Sequence, residues 1–235
     1  MKKITNILLF SGLAVIFVLM VVRVLICFSV KDDEATTQPN KSEKVDIREL
    51  ESFDAIENEG ICDIVFVQSD RSAVEISAPE RYIERFETDV DNGVLRIDVL
   101  GKIKGRNDEK FSIKVYSPTC KSIKNEGVGK ISCDSLRADT LIVKNEGVGS
   151  IELNKLAVSC LKADNEGVGK IKIEVLDANY VGLDNEGVGN VCISGKAETA
   201  ELINEGVGKI DATELDCEDV GFSNEGLGKV LTKKN

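Results

Sequence analysis

The sequence predicts an all-β fold, a parallel β-solenoid with about 20 residues per coil, on three observations. The phrase Asn-Glu-Gly-Val-Gly begins at Asn125, Asn145, Asn165, Asn185 and Asn204, and a copy with Leu for Val begins at Asn224. The spacings are 20, 20, 20, 19 and 20 residues, a period that marks stacked copies of one supersecondary unit. Apolar residues recur in columns at fixed distances from each Asn. Two glycines per phrase disfavour a long helix, while the Val/Ile-rich alternation around them suits short strands and tight turns. The Leu-x-x-Leu-x-Leu signature of leucine-rich repeats is absent, and calcium-binding nonapeptide repeats have a different period.

Residues 4–30 are almost wholly apolar, with Arg23 as the one charge, and Lys2 and Lys3 stand before them. About 20 apolar residues span a bilayer as a helix, and basic residues stay on the cytoplasmic side. The expectation is a transmembrane signal anchor at 1–30, with residues 31–235 exported to the periplasm or cell surface. A cleaved signal peptide or lipidation at Cys27 are the alternatives. Residues 31–50 are polar and charged and read as a flexible linker.

Residues 51–118 read as strands rather than repeats. Stretches 61–67, 73–76, 94–99 and 111–116 alternate or run apolar. Asn92-Gly93 is a two-residue hairpin turn, because both residues accept positive φ. Pro79 to Phe86 read as a short helix with Pro near its start. Asn58-Glu59-Gly60-Ile61-Cys62 is a seventh copy of the phrase with Cys in place of the second Gly, so the hairpin region reads as an insertion between the first rung and the second.

Residues 119–235 are the regular repeats. Three positions after each Asn stand Val128, Val148, Val168, Val188, Val207 and Leu227; six after stand Ile131, Ile151, Ile171, Val191, Ile210 and Val230. Two before stand Ile123, Val143, Ala163, Leu183, Leu202 and Phe222. Eleven after stand Leu136, Leu156, Leu176 and Leu215, with Lys196 in the fourth copy. All four columns are expected in a continuous core. At about 4.8 Å per rung, six coils make a rod of about 29 Å.

Each repeated residue type has a physical task. Gly127, Gly129, Gly147, Gly149, Gly167, Gly169, Gly187 and Gly189 permit positive φ and close backbone approach. Asn125, Asn145, Asn165 and Asn185 are expected to form an amide ladder. Stacked glutamates (Glu126, Glu146, Glu166, Glu186, Glu205, Glu225) at about 5 Å repel by about 0.8 kcal/mol in water and about 3 kcal/mol at an effective dielectric of 20. Lys130, Lys170, Lys209 and Lys229, four residues on, are the expected partner column, which Ser150 and Asn190 break. One reading of the stripe is a solvated, lysine-laced surface. The other is a cation array, with calcium the candidate ion at Glu166, Glu186, Asp164 and Asp184, where extra acid replaces Lys. No cofactor is implied. Cys133 shares a column with Leu153, Ile173 and Ile193 and reads as core; Cys120 and Cys160 lie about 10 Å apart over two coils, too far for a bridge.

Charge and composition exclude several functions. The chain carries −11, and Lys2, Lys3 and Arg23 put +3 in residues 1–30, which leaves −14 for the exported part. Nucleic acid is therefore excluded as a partner. No His exists to serve as general base or metal ligand, and Arg137 is the only Arg after residue 118.

The phrase Glu126-Gly127-Val128-Gly129-Lys130-Ile131 resembles the Ser-Gly-Ser-Gly-Asp-Ile repeat of the head GIN domain family, DUF2807, named for auto-transporter adhesin heads. Phe53-Asp54-Ala55-Ile56, Cys62 to Gln68, Asn92 to Ile97 and Ile113 to Pro118 follow the family's order as well. The resemblance covers about residues 50–230 and implies an exported bacterial protein with a right-handed parallel β-helix. It carries no catalytic residues. This chain departs from it with Glu for Ser and Lys for Asp. The resulting expectation is a non-enzymatic, adhesin-like cell-envelope module that binds polysaccharide or protein. A polysaccharide-acting lyase or hydrolase, argued from fold alone, and homotypic assembly through a solenoid end are the alternatives.

Overall fold

The computed structural model describes residues 43–101 and 111–233. Strands β1 (Glu43–Glu49), β2 (Ala55–Asn58), β3 (Asp63–Gln68) and β4 (Ala73–Pro79) are followed by helix α1 (Glu80–Ile83), then β5 (Phe86–Asp91), β6 (Val94–Val99), β7 (Ser112–Ser117) and β8 (Ser122–Asn125). The repeats follow as β9 (Val128–Asn145), β10 (Val148–Asn165), β11 (Val168–Asn185), β12 (Val188–Asn204), β13 (Val207–Asn224) and β14 (Leu227–Thr232).

Each phrase starts a new coil. Strands β9 to β14 pair in parallel, each on its predecessor, as the fixed period predicts. Between β9 and β10 the pairing covers residues 128–133, 135–138 and 140–145, so each long strand is divided into three paired stretches with corners between them. Side chains alternate inward and outward along each stretch, as the pleat requires. The columns six after and two before Asn are buried through most of their length, with Ile131, Ile151, Ile171, Val191, Ile210, Ile123, Val143, Ala163 and Leu202 at 0% exposure. Cys133, Leu153, Ile173 and Ile193 are buried as expected. Among the described residues, the cysteines from Cys62 to Cys217 form no disulfide.

The short 19-residue spacing has a local cause. The register shifts between Ile173 and Leu176, and Gly195 rather than Lys196 stacks on Leu176 and beneath Leu215. One residue is missing at the corner after Ile193, and Gly195 crosses it at φ 125°. The fourth copy therefore keeps its column through a glycine, while Lys196 lies outside on the surface.

The segment read as an insertion is the base of the rod. Strand β6 lies parallel under β2, pairing Leu95 with Ile56 and Ile97 with Asn58. Strand β7 lies parallel under β3, pairing Ile113 with Ile64. β2 and β3 in turn carry β8 and β9. The antiparallel strands β5, β4 and β1 extend the sheet below. The Asn92-Gly93 turn forms with φ 52° and 79°, and the helix after Pro79 spans Glu80–Ile83. Part of the stretch read as a linker is structured, because β1 occupies Glu43–Glu49. Arg48 ties β1 to β5, donating to the Phe86 carbonyl at 2.8 Å and to Thr88 Oγ1 at 3.0 Å. Among the described residues no helix is long and apolar enough to cross a membrane; residues 4–30 lie outside them.

One column departs from expectation. Val148, Val188, Val207 and Leu227 are 40%, 42%, 49% and 78% exposed, so the residue between the two glycines points outward rather than into the core.

Candidate functional site

The asparagine ladder sets the register of everything outside it. Asn58 Nδ2 donates to Asn125 Oδ1 at 2.8 Å, and the same bond repeats from Asn125 to Asn145, Asn165, Asn185, Asn204 and Asn224 at 2.6–2.9 Å. All donate in one direction. At the bottom, the Cys62 thiol donates to Asn58 Oδ1 at 3.4 Å; at the top, Asn224 Nδ2 donates to the Gly228 carbonyl at 3.3 Å. Burial pushes the Cys62 thiol pKa up to about 12, which keeps it protonated as that donor. Each Asn carbonyl also accepts two backbone N–H groups of the next phrase, as Asn145 accepts from Glu166 and Gly167 at 2.9 and 2.8 Å.

The glycines serve this close stacking. A Cβ on Gly167 would fall inside contact distance of the Gly147 carbonyl oxygen, and one on Gly169 would strike Gly149 in the same way. The first glycine of the phrase needs this space alone, because positive φ occurs only at the second, as at Gly129 with 144°.

Outside the ladder stand two charged columns. The residue before Asn and the residue after it both point outward, one rung above another. Lys124 pairs with Glu126, with Glu146 at 3.1 Å and with Glu57 at 3.7 Å. Lys144 pairs with Glu166 and with Asp164, both at 3.6 Å. The partners of the lower glutamates are thus Lys124 and Lys144. The expected lysine column lies beyond the exposed Val column and binds elsewhere: Lys130 pairs with Glu152 at 2.5 Å, and Lys209 with Asp211 at 2.9 Å.

Above Lys144 the lysine of the preceding position is replaced by Asp164 and Asp184. Asp184 stacks between Asp164 and Ile203, and its Oδ1 is buried without a hydrogen-bond partner. Burial and then the charges of Glu186, Glu205, Asp164 and Glu166 push its pKa up to about 6. Burial and the neighbouring Glu166 and Glu205 also raise Glu186. The four residues Glu166, Glu186, Asp164 and Asp184 are therefore neighbours on two rungs. Among the described residues no three His, Cys, Asp or Glu side chains converge into a metal-holding arrangement.

A stability consequence follows from Asp184. A carboxyl raised from about 3.9 in the unfolded chain to about 6 in the fold binds its proton more tightly when folded. Stability is therefore highest below about pH 4 for this group, falls as pH rises, and the loss is complete above about pH 6. Asp184→Asn removes the charge. We expect it to stabilise the protein by about 1 kcal/mol above pH 7, after discounting for the side chain's partial exposure, and to change nothing near pH 4. Thermal melts at the two pH values check this; an equal shift at both contradicts the linkage.

A second feature had no signal in the hydrophobic pattern. Ala138, Val158, Ala178 and Ala197 stack as the floor of an open groove of about 410 Å³ that crosses four rungs. Arg137, Ala157, Asp177 and Lys196 form one rim, and Ser159, Asn179 and Glu198 line the other. The available signal was Ala or Val standing 13 positions after Asn125, Asn145 and Asn165 and 12 after Asn185.

Comparison with known proteins agrees with this architecture. A putative adhesin from Bacteroides fragilis superposes with a TM-score of 0.70 at 24% identity, covering 84% of this chain and 100% of that one. A putative adhesin from Parabacteroides merdae gives 0.76 at 22% identity, covering 82% of each chain. A structure described as a putative lipid binding protein from Parabacteroides distasonis gives 0.67 at 17% identity, covering 82% of this chain and 98% of that one. At these identities the likeness establishes the fold. No curated protein matches the sequence. The profile described as "Putative auto-transporter adhesin, head GIN domain" (DUF2807) matches residues 52–233, the whole rod from β2 to the last coil, and the chain therefore belongs to that family.

Proposed function

We propose that this protein is a non-enzymatic binding module of the cell envelope. In this reading residues 4–30 hold it to a membrane and the solenoid is exported. Its partner is an extended envelope polysaccharide lying along the groove. The observation that carries this reading is the groove's shape. Four successive rungs place Ala138, Val158, Ala178 and Ala197 on the floor, at about 4.8 Å per rung, between rims that carry amide, hydroxyl and both signs of charge. An extended polymer of similar repeat meets polar rim groups on successive rungs, so weak contacts add along its length. Family membership supports an adhesin-like role in the same direction.

The test uses the full-length protein in detergent, bound to immobilised envelope polysaccharides. Ala178 lies half-buried in the middle of the floor. We expect Ala178→Trp to fill the groove and abolish retention while the melting temperature stays within a few degrees. Retention that survives this change moves the site elsewhere. New reducing ends released from the polysaccharide overturn the non-enzymatic reading in favour of a lyase or hydrolase.

A further inference from the structure

The exposed Val column is the largest departure from an ordinary surface on this rod. Ile61, Val148, Val188, Val207 and Leu227 are 40–78% exposed, and with the half-buried Val128 and Val168 between them they stack one above another in register. The bridge between Ile61 and Val128 carries the ridge down to the first rung. It is one residue wide and runs the length of the repeats. An apolar strip of this kind, aligned on successive rungs, marks an interaction surface.

The flanks of the ridge say what covers it. Successive outward positions of the phrase are Glu, Val and Lys, because Gly127 and Gly129 take the inward positions between them. The ridge therefore has acid on one side and, on the other, Lys130, Lys170, Lys209 and Lys229, interrupted by Asp63, Ser150 and Asn190. In the upper half Lys209 pairs with Asp211 at 2.9 Å, and the other charges flanking the ridge lack ion-pair partners among the described residues. Glu186, Glu205 and Glu225 form no ion pair among the described residues, and neither do Lys170 and Lys229. We propose that two copies of this chain associate side by side and in parallel through the Val ridge, with the glutamate column of each facing the lysine column of the other.

The orientation follows from symmetry. Rotating one rod by half a turn about an axis parallel to both brings its acid side opposite its partner's basic side along both edges of the ridge. Rotating it about an axis across the rods brings acid to acid and lysine to lysine. Only the parallel arrangement is complementary, and it points both copies the same way. Such an isologous contact places every ridge residue opposite its own equivalent. The strip measures about 29 Å along the rungs and about 13 Å from Glu to Lys, or about 400 Å² per copy. A standard stable interface buries about 800 Å² per partner, so this contact is a transient one that depends on high local concentration.

Self-crosslinking of variants that each carry one added cysteine tests both the contact and its direction. The full-length parent chain has Cys27, Cys160, Cys192 and Cys217 changed to Ser, which leaves only the buried Cys62, Cys120 and Cys133. In detergent and at high concentration it receives Val128→Cys near the bottom, Val207→Cys near the top, or Lys155→Cys on a different face as the collision control. The expected result is that the Val128→Cys and Val207→Cys chains each form covalent dimers with themselves, well above Lys155→Cys and the parent. Adding Val188→Lys to the Val207→Cys chain should return crosslinking to the control level without changing the melting temperature. Crosslinks that form only when Val128→Cys is mixed with Val207→Cys indicate an antiparallel contact and overturn the charge argument. Dimer yields equal to the Lys155→Cys control overturn the association itself. The groove lies on a different stretch of each coil, so failure here leaves the polysaccharide reading intact.

Discussion

Replacing Asn165 with leucine should lower the stability of the rod by about 4 kcal/mol, because it orphans two buried groups at once. Asn165 accepts from Asn145 Nδ2 at 2.8 Å and donates to Asn185 Oδ1 at 2.7 Å, and all three residues are 0% exposed. Leucine has the same branched heavy-atom skeleton as asparagine and is somewhat bulkier, so no packing is lost. The cost lies in Nδ2 of Asn145 and Oδ1 of Asn185, which lose their partners beyond the reach of water. Each unsatisfied buried group costs about 1–3 kcal/mol. For a domain of this size that corresponds to a fall of roughly 8–16 °C in melting temperature. Asn165→Asp should be at least as severe, since a buried carboxylate then faces the Oδ1 of Asn185. Asn224→Ala is the internal comparison. Asn224 is exposed at the end of the ladder, and its loss orphans only the amide of Asn204, so the expected cost is about 1 kcal/mol. Chemical denaturation of the three variants decides the matter; similar costs at Asn165 and Asn224 would mean that the ladder adds nothing beyond local turn formation.

The second large effect is steric. Gly167→Ala places a methyl group against the Gly147 carbonyl oxygen and the peptide of Glu146. These are backbone atoms held by the Val168 N–H to Gly147 carbonyl bond at 2.9 Å, and they have no rotamer to escape through. The rungs have to part locally, which also loosens the core columns on either side. We expect a loss above about 4 kcal/mol, in the range reserved for broken cores and strained backbones. Gly221→Ala meets nothing nearer than the Ala200 carbonyl at 4.0 Å and is expected to be neutral or to stabilise by about 0.4–1 kcal/mol through the unfolded chain. Thermal melts of the pair separate the two cases. A mild effect at Gly167 would show that the stack yields more easily than its hydrogen bonds imply.

Much of the architecture was legible because the repeat is a translation along one axis. Any residue that recurs every 20 positions in the chain recurs at the same place on the next rung, so the Ile131 and Val143 columns could be assigned to the core from hydrophobicity alone. The Val128 column could not. Hydrophobicity placed it inside, but the pleat alternates strictly, and with Asn125 buried the odd positions after it must point out. Counting parity from the Asn would have placed Glu126, Val128 and Lys130 together on the surface. It would also have shown why Lys130 is two columns away from Glu126 and bonds to Glu152 instead. The base of the rod was legible as strands but not as rungs. The pairing of β6 beneath β2 joins residues about 40 apart, and no periodicity marks it. The groove escaped for a different reason: small residues such as Ala178 are uninformative singly, and only their stacking at a corner creates a concavity.

The one-way asparagine ladder gives each coil the same lower and upper surface. A coil receives an amide hydrogen bond from below and offers one above, whatever its place in the stack, and only Cys62 and Gly228 close the series. Coils are therefore interchangeable cassettes, and duplication of one 20-residue stretch within the gene would seat itself without redesign of its neighbours. The height of the rod is then a heritable quantity that changes in increments of about 4.8 Å. A lineage under selection for longer or shorter reach could adjust it by unequal recombination between nearly identical copies, leaving the ends untouched.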